Sequence, residues 1–309
     1  MARYGTAESG RCPGAHVILT PGRRSEEETR RLSLASSSAS VDLPMIGVRM
    51  SGRPGRHSIE MRSDTVVKRY RFADHGQPER EWRALALLDR YAPGVAPTPM
   101  AADLHADPPM VVMSRLDGTA VHGPVRGPVA DALAESLTRV QLAIPQRVLA
   151  RLPARAGHPV ELLRQVRAWS AMEQPPDADP TLRQALGQAI GWVRQPALEQ
   201  VLTRQGTAVF GTGDGNLANY LWDGTNIRIV DFEYSGRSDR AFELAEILEH
   251  VSVWRNHVAG MNAVLERFEL TADEAGRLIQ CRRLLALYWL LRTRGRDQCD
   301  QANRMLTLL

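Results

Sequence analysis

Lysine is all but missing from this sequence: of its 39 basic residues only Lys68 is a lysine, and the rest are arginines. Cysteine is scarce as well. Cys12, Cys281 and Cys299 are far apart and odd in number, which excludes a disulfide framework or a CxxC pair and leaves buried or idle thiols. No run of 18 apolar residues exists, so no transmembrane helix is expected. The N-terminus lacks the apolar core of a signal peptide, its longest apolar stretch being Val17-Ile18-Leu19, and a cytoplasmic location away from membranes follows. Neither sign of charge dominates: the net charge is +4 and the pI about 9.2, a mildly basic solvated surface that does not call for a nucleic-acid partner.

What is present is ample core material, 43% hydrophobic residues in a chain of 309. Charge is unevenly placed. Residues 231–250 carry six acids and two arginines, net −4, and residues 276–309 carry seven arginines and two aspartates, net +5. Residues 1–44, with Arg23-Arg24, Glu26-Glu27-Glu28 and the run Ser36–Ser40, hold few apolar side chains, so a loosely ordered extension is expected there. From Met45 the pattern turns to short β-prone runs, Ile59–Met61 and Thr65–Tyr70, around the turn signal Arg62-Ser63-Asp64. Trp82, Leu85, Leu88 and Tyr91 mark one face of a helix over 77–91. An extended connector from Pro93 to Pro99 leads to an apolar strand at Met110–Met113, ended by Asp117-Gly118. Helices are expected over 127–143, 159–173 and 180–204, with a break at Pro175-Pro176, and the stretch 239–309 reads as helical. The layout is α+β with two lobes: a small β-rich lobe over 45–117 and a larger, mostly helical lobe over 118–309.

The chemistry concentrates in GTGDGNLANYLWDGTNIRIVDFEYSG, residues 211–236. Asp214 sits in a glycine-rich loop and Asn219 follows five residues later. Asp223-Gly224 is a hairpin turn between Tyr220–Trp222 and Ile227–Val230. The returning strand ends at Asp231-Phe232-Glu233, so the hairpin brings Asp214, Asn219 and Asp231 together. Phosphoryl transfer needs such a set: one carboxylate to orient the attacking hydroxyl, and an amide with a second carboxylate to hold magnesium on the phosphates. The Asp-x4-Asn spacing followed by Asp-Phe-Glu has the order of a kinase catalytic loop and metal loop.

This segment resembles the aminoglycoside phosphotransferase and choline kinase family, whose pattern reads approximately HGDxxxxN, a hairpin, IDFE or IDWE, and a GDPxxDLA-like stretch. The corresponding residues here are Gly213-Asp214 to Asn219, Val230–Glu233, and Ser238–Ala245. The resemblance spans about residues 45–300 and implies a two-lobed, protein-kinase-like fold using ATP and Mg2+. It implies Asp214 as catalytic base or orienting carboxylate, Asn219 and Asp231 as magnesium ligands, and Asp239 as a brace for the catalytic loop. One departure is Thr212, where the family pattern has a histidine.

The N-terminal half fits the same reading. Lys68 in a β-run, with Glu81 thirteen residues on in the next helix, matches a strand lysine that binds the nucleotide phosphates and a helix glutamate that positions it, with Glu79 as the competing partner. Gly52 and Gly55 in Ser51–Ser58 form a candidate phosphate-covering loop. Met110–Leu116 resembles the strand and hinge that bond adenine, with Ser114 and Leu116 as the binding positions. His57, His122, His250 and His257 show no metal-site spacing, and Trp169, Trp192, Trp254 and Trp289 read as core. Glu243, Glu246 and Glu249 form an acidic helix face, either solvated or facing a cationic substrate.

Three functions follow for consideration. The first is transfer of the ATP γ-phosphate to a hydroxyl of a small, aminoglycoside-like metabolite, the family including antibiotic kinases. The second is phosphorylation of Ser or Thr in a ribosomal precursor peptide, with a separate lyase as partner; Arg282, Arg283, Arg292, Arg294 and Arg296 would then dock an acidic leader. The third, motivated by Thr212, is a catalytically silent nucleotide-binding scaffold. The acceptor pocket is expected within residues 120–205.

Overall fold

The computed structural model describes residues 57–72, 76–171, 179–204, 206–293 and 297–309. The expected extension 1–44, Gly52 and Gly55 of the phosphate-covering loop, the Pro175-Pro176 break, and Arg294 and Arg296 lie outside the described residues. Among those described, no helix is long and apolar enough to cross a membrane.

The small lobe is a four-stranded antiparallel sheet of β1 (His57–Met61), β2 (Thr65–Tyr70), β3 (Pro99–Asp103) and β4 (Met110–Ser114), in the order β1-β2-β4-β3. The expected β1 and β2 runs and the Met110 strand are all there. The supposed connector to Pro99 instead leads into β3, an edge strand whose register shifts between Pro99 and Ala101. Its sequence Pro-Met-Ala-Ala-Asp lacks alternation because an edge strand with an irregularity has less need of it. Helix α1 (Gln77–Tyr91) packs on the sheet through Ala84, Leu85 and Leu88.

Past the short strand β5 (Thr119–Ala120) the chain becomes helical: α2 (Pro128–Ala143), α3 (Gln146–Leu149), α4 (Pro159–Ser170), α5 (Pro180–Val193) and α6 (Pro196–Thr203). Four of these open with proline in the first turn, where a missing N–H costs nothing and φ is already helical. Proline also explains the one helix that divides. The expected span 180–204 is two helices because Pro196 cannot donate to the turn before it and disfavours helical geometry at Gln195.

Two small sheets carry the loop chemistry. β6 (Ala208–Gly211) pairs with β9 (Gly236–Asp239), and β5 pairs with β7 (Tyr220–Trp222), which pairs with β8 (Ile227–Ile229). The β7–β8 turn closes on Asp223, whose Oδ1 accepts from Thr225 N at 3.0 Å and Asn226 N at 2.8 Å, while Gly224 takes φ 102°. The remainder is α7 (Arg240–Glu249), α8 (Val251–Arg255), α9 (Asn262–Leu265), α10 (Ala272–Arg292) and α11 (Asp297–Leu308). A capping box of Thr271 and Glu274 starts α10. Its Leu284, Leu285, Leu287 and Tyr288 are core, and it packs along α7. The whole is a kinase-like fold with a small antiparallel sheet lobe and a larger helical lobe.

Candidate active site

Lys68 lies on β2 with Tyr70 two residues on, so both side chains point to one face of the sheet, towards α1. The lysine is 6% exposed, and its Nζ lies 2.7 Å from Glu81, 2.6 Å from Asp231 and 2.8 Å from Glu233. Glu81 is wholly buried and divides its oxygens between the lobes. Oε2 accepts from Lys68 and, at 3.1 Å, from the Tyr70 hydroxyl, while Oε1 accepts from Phe232 N at 3.1 Å. Glu79 is on the solvent side of α1, so Glu81 is the partner.

Asp214 enters on a loop that only glycines permit. Gly213 has φ 88°, and a Cβ there would come within 2.3 Å of the Tyr234 backbone; at Gly215 a Cβ would meet Glu246 O at 2.4 Å. The loop therefore threads between the Asp-Phe-Glu segment and the last turns of α7. Asp214 Oδ1 accepts from Asn216 N at 2.9 Å, and Oδ2 accepts from Asn219 Nδ2 at 3.3 Å. Burial, and after it the nearby Asp231 carboxylate, hold Asp214 well above the usual carboxylate range. Asn219 ends a 3-10 turn, Leu217–Asn219, and its carbonyl accepts from Val230 N at 2.9 Å. The hairpin thus sets Asn219 across from the residue preceding Asp231.

Asp231 has φ 70°, a left-handed conformation uncommon for a residue other than glycine and one that clusters at functional sites. Partial burial pushes it up to about 6; Lys68 opposes this, and Glu233 and Glu81 add to it. Burial works the same way on Glu233, yet Lys68 and His57, whose Nε2 is 2.7 Å away, pull it down to about 2. Glu81, Asp231 and Glu233 present oxygens within 4.8 Å of one another. Three carboxylates therefore surround one ammonium, with Asp214 close by. Such an oxygen-rich, anion-heavy set suits a hard divalent cation such as magnesium, and Asp231, 36% exposed at its side chain, is the carboxylate that reaches open space.

Lys68, Glu81, Asp214, Asn219 and Asp231 thus come together. The two hinge positions are placed differently. Ser114 N–H donates to Thr98 O at 2.9 Å and its Oγ accepts from Thr98 N at 2.9 Å, so Ser114 is committed to the sheet, whereas Leu116 lies past the strand. Asp239 does not brace the catalytic loop directly. It caps α7 at Phe242 N and grips Arg277 through both oxygens, at 3.0 and 2.7 Å.

The brace is Arg155, which nothing in the sequence singled out. Its guanidinium donates to Glu243 at 3.0 Å and to Gly213 O at 2.9 Å, with Glu246 at 3.3 Å. Glu243 in turn accepts from Thr212 N at 3.1 Å. The acidic face of α7 is accordingly neither solvated nor open to a cationic substrate. Glu243, Glu246 and Glu249 are buried, and Glu249 is answered by Arg282 at 2.7 Å and Arg304 at 2.6 Å. Arg283 is also used internally, donating to Leu308 O at 2.6 Å and Leu309 O at 3.1 Å. His57 and His250, unremarkable by spacing, sit on Glu233 and Asp214. A cavity of about 650 Å3 lies among Trp254, His257, Arg282, Asp300 and Arg304, and draws none of its lining from 120–205.

With this geometry established, comparison with known proteins places the chain. Residues 57–278 match the phosphotransferase enzyme family, and the chain belongs to that family. No curated protein sequence matches it. Among solved structures it is similar to a choline/ethanolamine kinase family protein from Mesorhizobium loti, at 15% identity and TM-score 0.56 over 91% of this chain and 94% of that one. It is similar to the GDP complex of aminoglycoside 2'-phosphotransferase-IIIa, at 17% identity and TM-score 0.54 over 92% and 97%. A thermostable mutant aminoglycoside phosphotransferase in complex with ADP and hygromycin B gives 14% identity and TM-score 0.54 over 79% and 85%.

Proposed function

We propose that this phosphotransferase moves the γ-phosphoryl group of ATP to a hydroxyl of a small, aminoglycoside-like acceptor. The observation that carries the proposal is the convergence of Asp214 and Asn219 from the loop and turn that lead into the β7–β8 hairpin, Asp231 from the segment that leaves it, and the Lys68–Glu81 pair from the small lobe. Asn219 and Asp231 would hold magnesium, which when bound neutralises charge on the phosphates. Lys68, kept ammonium by its carboxylates, binds phosphate oxygens. Glu81 fixes the lysine and, through Phe232 N, the backbone next to Asp231. Asp214 accepts from the attacking hydroxyl and aligns it, so the chain contributes positioning and charge more than covalent chemistry. Its raised proton affinity suits it to receive that proton.

A small acceptor is favoured over a precursor peptide because Arg282 and Arg283, the expected leader dock, are spent on Glu249 and the C-terminal carbonyls. Supporting the same choice, two of the structures it resembles are aminoglycoside phosphotransferases, one of them holding ADP and hygromycin B. The test is transfer of γ-labelled phosphate from ATP with magnesium to two pools, amino-sugar and amino-alcohol compounds, and Ser/Thr peptides with acidic leaders. Asp214→Asn runs in parallel. Label in the first pool, lost in Asp214→Asn, is expected; label confined to peptides would overturn the acceptor class, and full activity of Asp214→Asn would overturn the role of Asp214.

A further inference from the structure

His250 joins α7 to α8 and is 1% exposed. Its ring is held on three sides. Ser252 donates its backbone N–H to Nδ1 at 3.1 Å, and the Ser252 hydroxyl lies 2.9 Å from the same nitrogen. The Trp289 ring packs edge-on at 4.9 Å and 81°. A ring nitrogen that accepts an N–H must present its lone pair, so a neutral imidazole carries its proton on Nε2. Burial, helped by Arg255, keeps the ring neutral by pushing its pKa down to about 3. Nε2 lies 3.3 Å from Asp214 Oδ1 and has no aligned hydrogen-bond acceptor among the described residues. A buried N–H is costly to leave unpaired, and hydrogen bonds around a reacting group are commonly long until substrate binds.

We propose that His250 is a positioning residue for Asp214: a neutral, tautomer-locked imidazole whose Nε2–H holds Oδ1 and so fixes the plane of the carboxylate. This rests on the reading of Asp214 as the group that aligns the acceptor. Oδ1 is then gripped by Asn216 N–H and His250, and Oδ2 by the Asn219 amide. One lone pair of Oδ2 is left aimed for the incoming hydroxyl. The α7–α8 junction is already tied to the same loop, since Leu217 N donates to Ser252 Oγ at 3.0 Å. Ser252 therefore sets both the loop and the tautomer of the histidine that steadies it.

Two measurements test this on the full chain. With histidines labelled by 15N, and His250 assigned by its absence in His250→Gln, the resonances should report an unprotonated, hydrogen-bonded Nδ1 and a protonated Nε2 throughout pH 5–8. An Nδ1–H tautomer, or a cationic ring in that range, overturns the proposal whatever the activity of the variants. The second measurement is release of γ-phosphate from magnesium-ATP to water. His250→Leu should lower kcat by on the order of 10–100-fold with the KM for ATP unchanged, and His250→Gln, whose amide N–H can reach the same oxygen, should recover most of it. Equal losses in Leu and Gln, or no loss in either, would sink the proposal. Asp214→Asn in the same assay separates the two claims: if it hydrolyses at the wild-type rate, the role of Asp214 fails, whatever the tautomer of His250.

Discussion

Arg155→Met asks whether the catalytic loop is held by a buried charge cluster. The arginine is 1% exposed and serves two carboxylates and the Gly213 and Ala156 carbonyls. Methionine keeps much of the volume and none of the donors, leaving Glu243 and Glu246 in the interior without their cation. Breaking a buried pair in this way costs about 3–5 kcal/mol, a large fraction of the ~5–15 kcal/mol that holds a typical domain together. The cost should depend on pH with a definite sign. Burial already holds Glu246 up at about 7 against the pull of Arg155, with Glu243 adding to the rise. Removing the arginine sends it higher. A carboxyl whose folded pKa exceeds its unfolded value contributes stability below the unfolded value and loses it as pH rises through the folded one. The deficit should therefore be smallest at pH 4.5 and larger at pH 8. Urea unfolding followed by tryptophan fluorescence at both pH values reads it directly. A pH-independent deficit below about 1 kcal/mol would refute the reasoning. Arg155→Lys should recover only part, because an ammonium restores the charge but not the fork that reaches two acids and a carbonyl.

Lys68→Met should lower transfer by on the order of 10²–10³-fold, and Lys68→Arg should not restore it, since a planar guanidinium cannot take the place of an Nζ within 2.8 Å of three carboxylates; steady-state kinetics with ATP decide both. The ligand-free protein should be most stable near pH 4.5. Asp231 at about 6 and Glu246 at about 7 withdraw stability as pH rises from the ordinary carboxylate range up to their folded values, while Glu233 at about 2 and His250 at about 3 withdraw it as pH falls. Thermal melts across pH should show this, and Glu246→Gln should flatten the fall between pH 5 and 7.

The sequence disclosed the groups that do chemistry better than the groups that hold them. Asp214, Asn219 and Asp231 are legible because a hairpin joins them and its turn announces itself as Asp-Gly. Lys68 and Glu81 are legible because phosphate binding needs one cation and one anchor, and the chain has a single lysine. Arg155, one arginine among many, carries no local signature. Its role arises only when β9 and α7 fold back beside the residues that precede α4, and no spacing rule reports that approach. The same holds for His250 and His57, each paired with an acid far away in sequence. The acids of α7 were read as surface for a related reason. Charge at helical spacing describes a solvated face and a buried, arginine-satisfied face equally well. In the fold, β3 was lost because proline and an irregular edge erase alternation, and the α5–α6 break because one proline inside an amphipathic stretch can begin a helix as readily as end one.

The solitary lysine has a practical consequence. In most proteins an amine-directed reagent scatters over many side chains. Here the sequence offers a single ε-amine, enclosed among carboxylates at the floor of the interlobe cleft. An acylating group delivered by a nucleotide would have one side chain to modify, and the extent of that modification would count occupied clefts one by one. The arginines would stay silent, so among side-chain amines the chain reports from a single site.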